Sequence, residues 1–392
     1  MKKIKWSKWP NYKSAEKQAI IRVIKSNQIT SQNEVEKFEN EFKNYIKIKY
    51  AKCVGNATQG LHLALNALNV GVGDEVIVTN FSWISTASCI LMQNAVPIFC
   101  DIENKSFGID VEKLKKKITS RTKAIIYVHM YGFICDVEKL LQISKKFKIP
   151  LIEDASHAHG SEFNKIKAGN FSSIAVFSLQ QRKNLPAGEG CVIVTNNKRL
   201  DKKIYNYRSF GAKELSYNYR MTEFCAAIAR ERLKKLDIEN KLRNKYALYI
   251  FNKCKNLQGI SFLKPRNKSF SCFHKLIILY NYNYFKKNIN FFFNFIKKTG
   301  VPIEKVYKPL NTHAHFNPEV LPSRGIPWKW KIYSNNFRLP LKMKKLNFEV
   351  TNLYSKKILL QVSLNPLLRK RDLEYFCDKI IKYNNKYKKE ID

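Results

Sequence analysis

Lys183 lies in Phe177-Ser178-Leu179-Gln180-Gln181-Arg182-Lys183-Asn184-Leu185-Pro186-Ala187-Gly188-Glu189-Gly190, between two apolar runs of β type and downstream of Ile152-Glu153-Asp154. An amine and a carboxylate near the ends of two strands, with the Ser178 hydroxyl between them in the chain, supply three groups of one chemistry. The amine forms a Schiff base with an aldehyde, the carboxylate partners a pyridinium nitrogen, and the hydroxyl bonds a phosphate. That set is what a pyridoxal phosphate (PLP) enzyme needs. In a chain with 71 Lys and Arg residues, one lysine is ordinarily a solvated surface charge. Lys183 stands apart because Leu179, Leu185 and Gly188-Glu189-Gly190 place it in tightly turning backbone rather than on a charged helix face.

Other segments offer weaker signals. Gly55-Asn56-Ala57-Thr58 precedes Leu61, Ala64, Leu65 and Leu68 at helical spacing. The amides near Ala57 and Thr58 then lie at a helix N-terminus, where free N–H donors and a positive dipole suit a phosphate. The same pattern also reads as a plain N-cap with no ligand. Trp83 follows the strand Val76–Val78, where it either stacks on a cofactor ring or fills the core. Asp154, read alone, is also a common helix cap. In Glu153-Asp154-Ala155-Ser156-His157-Ala158-His159-Gly160, His157 is a candidate to bond a ring oxygen, His159 reads as a packing residue, and the pair lacks the context of a metal site.

Composition narrows the class. With 392 residues, 45% hydrophobic and 13% aromatic, the chain has the make-up of a folded globular protein large enough for two cores. No apolar run nears the ~18 residues of a membrane span, and no membrane partner is expected. Met1-Lys2-Lys3-Ile4-Lys5-Trp6 is basic without the apolar stretch of a secretory leader, so a cytoplasmic location is expected. Nine Cys with no Cys-x-x-Cys pair argue for reduced, mostly buried thiols rather than disulfides or zinc. The formal net charge of +40 is spread along the whole chain as Lys mixed with Asn and Ile. No nucleic-acid-binding pattern accompanies it, and no nucleic-acid partner is expected. Part of the surplus suits a diphosphate-bearing substrate.

These groups need a scaffold, and the periodicity supplies one. Residues from Ser14 to Asn44 read as helical, after which short β-type runs alternate with helical stretches. The runs are Glu75–Val78, Pro97–Cys100, Ala124–Val128, Pro150–Glu153, Ile174–Phe177 and Cys191–Thr195; the helical stretches include Leu61–Leu68, Val111–Ile118 and Val137–Phe147. Alternation of this kind predicts an α/β fold, a mostly parallel sheet with helices on both faces, which binds ligands beyond the strands' carboxyl ends. A helical stretch from Thr222 to Leu248 leads to a mixture of strand (Phe273–Leu279), helices (Phe285–Lys298 and Leu373–Tyr383) and Pro-rich loop around Pro302–Pro327. The expected division is a large PLP-binding domain over residues 1–245, including the N-terminal helical segment, and a smaller α+β C-terminal domain over 246–392. The tail Lys382–Asp392 reads as frayed.

The order of these segments resembles one family along nearly the whole chain: the PLP-dependent sugar aminotransferases of the DegT/StrS type. Gly55–Thr58 is similar to that family's Ser-Asn-Gly-Thr phosphate turn, and Gly73-Asp74-Glu75-Val76-Ile77-Val78 to its next strand. Val128-His129-Met130-Tyr131-Gly132, Glu153–Gly160, the Lys183 segment and Tyr217-Asn218-Tyr219-Arg220-Met221 all look like family signatures. The resemblance implies a fold type I homodimer with shared active sites. It further implies that Ala57, Thr58 and Ser178 hold the cofactor phosphate, with Asn218 reaching in from the partner subunit. Trp83 would cover the ring, Asp154 and His157 would hold its nitrogen and oxygen, and Lys183 would carry the Schiff base and move the proton. Glutamate or glutamine is the implied amino donor. A nucleotide-diphosphate-linked keto-deoxysugar, on a route to a polysaccharide or a glycosylated metabolite, is the implied acceptor. Gln180-Gln181 and Trp6…Trp9-Pro10 resemble instead the keto-cyclitol aminotransferases of the scyllo-inosose type. Where Lys183 stands, a related dehydratase group has His. Three departures occur: Ala57 replaces a usual Gly, His157 stands where Gln is also common, and Cys191 replaces the last Gly of Gly-Glu-Gly-Gly, which predicts an altered Gly188–Cys191 loop.

Overall fold

The computed structural model describes residues 4–30, 32–210, 215–316 and 346–389. Two helices open the chain, α1 (Ser14–Ser26) and α2 (Asn33–Ile46). Strands and helices then alternate: β1 (Tyr50–Val54), α3 (Ala57–Ala67), β2 (Glu75–Thr79), α4 (Ser85–Met92), β3 (Val96–Cys100), α5 (Val111–Lys115), β4 (Thr122–Val128), α6 (Val137–Phe147) and β5 (Leu151–Asp154). A short hairpin, β6 (Glu162–Phe163) with β7 (Ile166–Lys167), precedes β8 (Ile174–Ser178), β9 (Cys191–Thr195) and α7 (Lys198–Arg208). The seven long strands form one sheet in the order β1-β9-β8-β5-β4-β2-β3. β3, β2, β4, β5 and β8 are parallel, while β9 runs antiparallel to both of its neighbours.

Both faces of the sheet are covered, which is why strands such as β2, β8 and β9 are buried at every position. Along β2 the alternation is visible: Ile77 packs with α2 and α6, and Val76 and Val78 pack with α3 and α4. Side chains cap the starts of several helices, Asn56 for α3, Asp136 for α6 and Asn197 for α7. This is the α/β architecture that the sequence predicts, a mostly parallel sheet with helices on both faces.

After the first sheet come α8 (Glu223–Leu233) and α9 (Leu236–Lys253). The helical pattern from Thr222 to Leu248 therefore breaks at Lys234-Lys235, as the Ser14–Asn44 pattern breaks between α1 and α2. Both breaks let one amphipathic stretch serve two packing directions. α9 spans two cores: Leu236 packs with the first sheet's layer, and Ala247, Ile250 and Phe251 with a second. That second core surrounds an antiparallel sheet in the order β10-β12-β14-β13, formed by β10 (Ile260–Phe262), β12 (Leu276–Tyr280), β13 (Ile303–Lys305) and β14 (Leu359–Val362). β11 (Ser269–Phe270) joins β6. Helices α10 (Ile289–Lys297), α11 (Glu349–Leu353) and α12 (Lys370–Tyr387) complete the described chain.

The tail departs from the frayed reading. α12 continues to Tyr387 because Tyr383 is fully buried, its ring centroid 4.6 Å from that of Phe292 and 4.8 Å from that of Tyr387. Aromatic packing outweighs the polar composition of that stretch. Part of the Pro302–Pro327 loop is the strand β13, and positions 317–327 lie outside the described residues. All nine cysteines are free thiols, eight of them buried. Among the described residues no helix is long and apolar enough to cross a membrane.

Candidate active site

β8 and β9 pair antiparallel up to Ser178 and Cys191, and the segment between them folds back over the end of the sheet. Four backbone bonds hold it: Leu179 N to Gly190 O, Gln181 N to Gly188 O, Ala187 N to Leu179 O and Lys183 N to Gln180 O, each 2.8 Å. Gly188 and Gly190 adopt φ of 91° and 139°, a region that L side chains rarely enter. Cys191 is the first paired residue of β9, its side chain turned toward α3. A Cβ at Gly60 would lie 2.6 Å from Cys191 Sγ, so the bare glycine makes room for the thiol.

Lys183 is partly buried at the turn of this segment. Removal from water, opposed by the nearby Asp154 carboxylate and reinforced by Lys275, lowers its amine to about 8. At pH 7 roughly a tenth is therefore the free amine, the form that attacks an aldehyde, far more than for a solvated lysine. Asn184 fixes the next residue through Nδ2 bonds to Asn240 Oδ1 (3.2 Å) and Cys272 O (2.8 Å).

Asp154 ends β5 and is 4% exposed. Thr86 Oγ1, in the first turn of α4, donates to Asp154 Oδ2 at 2.8 Å, and Ser156 N donates to Oδ1 at 3.2 Å. The single Thr86 proton is thus committed, so in the 2.8 Å contact between the two hydroxyls Ser82 is the donor. The adjacent Glu153 points to the opposite face, where His129 and the backbone N–H groups of Gly169 and Phe171 engage it. Strand alternation therefore separates a structural carboxylate from one available for chemistry.

His157 is buried with its Nδ1 accepting from Tyr131 N at 3.4 Å. Burial, with Lys183 and Lys275 nearby, holds the ring well below the ordinary histidine range. A neutral imidazole whose Nδ1 accepts carries its proton on Nε2, leaving that N–H to donate. His274 stacks on His157 at 4.2 Å between centroids, and Tyr307 lies parallel to it at 6.2 Å. Tyr307 is anchored from afar: Asn80, just beyond β2, exchanges side-chain and backbone bonds of 2.9 Å with Leu310 and Asn311.

Trp83 is 59% exposed, its ring edge-on to Tyr307 at 6.1 Å, which removes the core reading and leaves an aromatic surface at the mouth. Ala57 and Thr58 form the first turn of α3, and Thr58 Oγ1 donates to Ser85 Oγ at 2.7 Å at the start of α4. Ser178, 6% exposed, ends β8. Asn218 is exposed, accepts from Arg220 Nε at 3.0 Å, and sits on the segment whose Tyr219 carbonyl accepts from Gly55 N. His159 is buried against Phe177, as a packing residue should be.

Sequence reasoning missed Thr86, His274, Lys275, Glu304 and Tyr307 as neighbours of the site. It noticed Trp9 only as part of a resemblance; here its Nε1 donates to the Lys183 carbonyl at 3.1 Å, with Arg232 and Arg243 on its ring at 4.9 Å each. The arm that carries Trp9 is tied elsewhere too, Ile4 N to Thr299 O (2.9 Å), Ser7 Oγ to Leu367 O (3.1 Å) and Asn365 Nδ2 to Ser7 O (2.8 Å).

The donor set fits pyridoxal phosphate. An amine of lowered basicity, a buried carboxylate oriented by two donors, a neutral imidazole with a free N–H and an exposed indole are the groups its aldehyde, ring nitrogen, ring oxygen and ring face require. Comparison with known proteins agrees. The model of the DegT/DnrJ/EryC1/StrS aminotransferase family matches residues 10–354. A GDP-perosamine synthase of Escherichia coli O157:H7 is 37% identical over 237 residues, 58% of this chain and 65% of that protein. An L-glutamine:2-deoxy-scyllo-inosose aminotransferase of Streptomyces lividus is 31% identical over 267 residues, 62% of this chain and 63% of its own. The match thus spans just under two thirds of each relative. The X-ray structure of an aminotransferase from Psychrobacter cryohalolentis superposes with a TM-score of 0.84 at 25% identity, covering 98% of this chain and 100% of the other. This chain belongs to the DegT/DnrJ/EryC1/StrS aminotransferase family, whose members act on sugars and related compounds with pyridoxal phosphate.

Proposed function

We propose that the protein transfers an amino group from glutamate or glutamine to a nucleotide-diphosphate-linked keto-deoxysugar, for a polysaccharide or a glycosylated metabolite. The observation that carries the amino-transfer chemistry is Lys183, a partly buried amine lowered to about 8 with the Asp154 carboxylate nearby. When bound, the cofactor supplies the aldehyde that carries the amino group and a ring that draws electrons from the broken C–H bond. Everything else falls to the chain. With the cofactor bound, Lys183 Nζ would be the amine that holds its aldehyde and, once free, the base that moves the proton from the donor Cα. Asp154 holds the ring nitrogen protonated, kept in line by Thr86 and Ser156. His157 Nε2–H donates to the ring oxygen. Ser178 and the α3 amides at Ala57 and Thr58 receive the phosphate, and Trp83 covers the ring.

The working unit in this reading is a cytoplasmic homodimer in which Asn218 reaches the phosphate of the other subunit. Exposed Phe210 and Leu215, at 67% and 90%, flank that region and offer apolar surface for a second copy. The large domain of residues 1–245 would carry the cofactor, and the smaller one of 246–392 would close on the substrate.

For the acceptor, the exposed Arg182, whose charge acts on Tyr307, and the exposed Lys308, next to Tyr307 in the chain, favour a diphosphate. A second reading, a keto-cyclitol acceptor, is favoured by Trp9, because the segment that resembles cyclitol aminotransferases also contacts Lys183. Loading the enzyme with pyridoxamine phosphate and offering each acceptor in turn separates the two. Return of the cofactor's visible absorption with a 3- or 4-keto nucleotide sugar is expected. A response to scyllo-inosose alone would replace the first reading by the second.

A further inference from the structure

Lys275 stands at the edge of the pocket with a partner that is easily exchanged. It precedes β12, directly after His274, whose ring lies 4.2 Å from that of His157. Its Nζ is 3.1 Å from Glu304 Oε2 and 3.5 Å from Ser363 Oγ, and Gln361 Nε2 reaches the same Glu304 oxygen at 3.4 Å. The two partners differ in freedom: the Lys275 side chain is 12% exposed and that of Glu304 46%. Behind them Gln361 Oε1 is buried with no hydrogen-bond partner among the described residues. A sheltered cation thus faces a carboxylate that can swing into water.

We infer that Lys275 binds the α-carboxylate of the amino donor, and that Glu304 is the internal carboxylate it exchanges for that of the donor. The inference rests on the aminotransferase reading above and names the subsite within it. Distance decides which substrate anion the cation serves. The donor's α-carboxylate is bonded to the carbon that bears the reacting nitrogen, so it must sit beside Lys183, whereas a sugar diphosphate is attached several bonds from the keto carbon. Lys275 directly follows His274, whose ring stacks on that of His157 at 4.2 Å, and its charge disfavours the cationic forms of Lys183, His157 and His274. Attraction between opposite charges weakens with distance, so the cation serves best the anion held nearest to it. Arg182, exposed and acting on Tyr307, is placed for an anion further out. Exchange of one carboxylate for another leaves the buried charge unchanged, so donor binding avoids the cost of stranding Glu304 in the pocket.

The test separates the two half-reactions of the holoenzyme in Lys275→Met, Lys275→Arg and Glu304→Gln. Lys275→Met is expected to raise the half-saturating glutamate concentration roughly 10- to 100-fold, with the acceptor dependence of the pyridoxamine form unchanged. Lys275→Arg should recover part of the loss, and Glu304→Gln should tighten glutamate by removing the competitor. Calorimetric titration with α-methylglutamate, which binds without a proton to lose, should weaken by the same factor in the Met variant. A Met variant that loses affinity for the acceptor and keeps it for glutamate would overturn the inference, as would equal binding of α-methylglutamate to all forms. If the unmodified enzyme aminates no acceptor yet α-methylglutamate binding still depends on Lys275, the acceptor assignment fails and the donor subsite stands. If the Met variant does not fold, the Arg and Gln variants carry the same comparison.

Discussion

The floor and the wall of the pocket are built differently. Asp154, His157, Ser178 and Lys183 come from the carboxyl ends of two neighbouring strands and the turns after them, and Asp154 and His157 have committed partners. His274, Lys275, Glu304 and Tyr307 come from the second sheet and its connections, with one ion pair half open to water. Cofactor chemistry is common to both half-reactions and tolerates little displacement, so it belongs on the rigid part. Choice between substrates needs charges that can change partners. On this view floor variants should damage both half-reactions and wall variants only one.

Lys183→Ala is the largest expected effect: both half-reactions should fall by roughly four powers of ten or more while the protein stays folded. Single-turnover absorbance with glutamate and with a keto sugar measures each half. Near-normal turnover in either one would end the assignment of Lys183. Asp154→Asn comes next. An amide cannot balance a pyridinium charge, so cofactor should still bind and colour the protein, with both halves slowed by about 10²- to 10³-fold. Loss confined to one half-reaction would move Asp154 from floor to wall.

The third effect concerns pH. Burial disfavours the Lys183 cation, so below about 8 the reactive neutral fraction should grow tenfold per pH unit and then level off. Capture of pyridoxal phosphate by the apo protein, followed by stopped-flow absorbance, should show that plateau. A rate still climbing beyond pH 9.5 would mean an amine solvated like a free lysine. Removing that buried cation has a stability counterpart. Apo Lys183→Met should be more stable at pH 7, on the order of 2 kcal/mol, with the difference shrinking as pH rises past 8. Smallest is Trp9→Phe, which keeps a ring between Arg232 and Arg243 and deletes the bond to the Lys183 carbonyl. Both halves should slow about tenfold, one ordinary hydrogen bond. No change in rate, with the cofactor absorption also unmoved, would make the contact structural only.

Legibility follows the same division. The floor was readable because each piece is a short contiguous string at a strand end, where periodicity fixes position and period-two alternation separates Asp154 from Glu153. The first sheet was readable for the same reason, apart from β1 and the helix breaks at Lys234-Lys235 and between α1 and α2; of the second sheet only β12 was read, and β10, β13 and β14 depend on tertiary packing. The wall left no local trace. Tyr307 owes its place to the Asn80–Asn311 contact across 231 positions, and Lys275 meets Glu304 only because β14 lies between β12 and β13. Polar pairings over such separations are made by the folded chain and have no period to detect.

The N-terminal arm has a mechanical consequence. Ile4, Ser7 and Trp9 bond Thr299, Leu367, Asn365 and the carbonyl of Lys183, the last across 174 positions. It works as a tether, so a displacement of the second core should be passed along the arm to the backbone that carries the lysine.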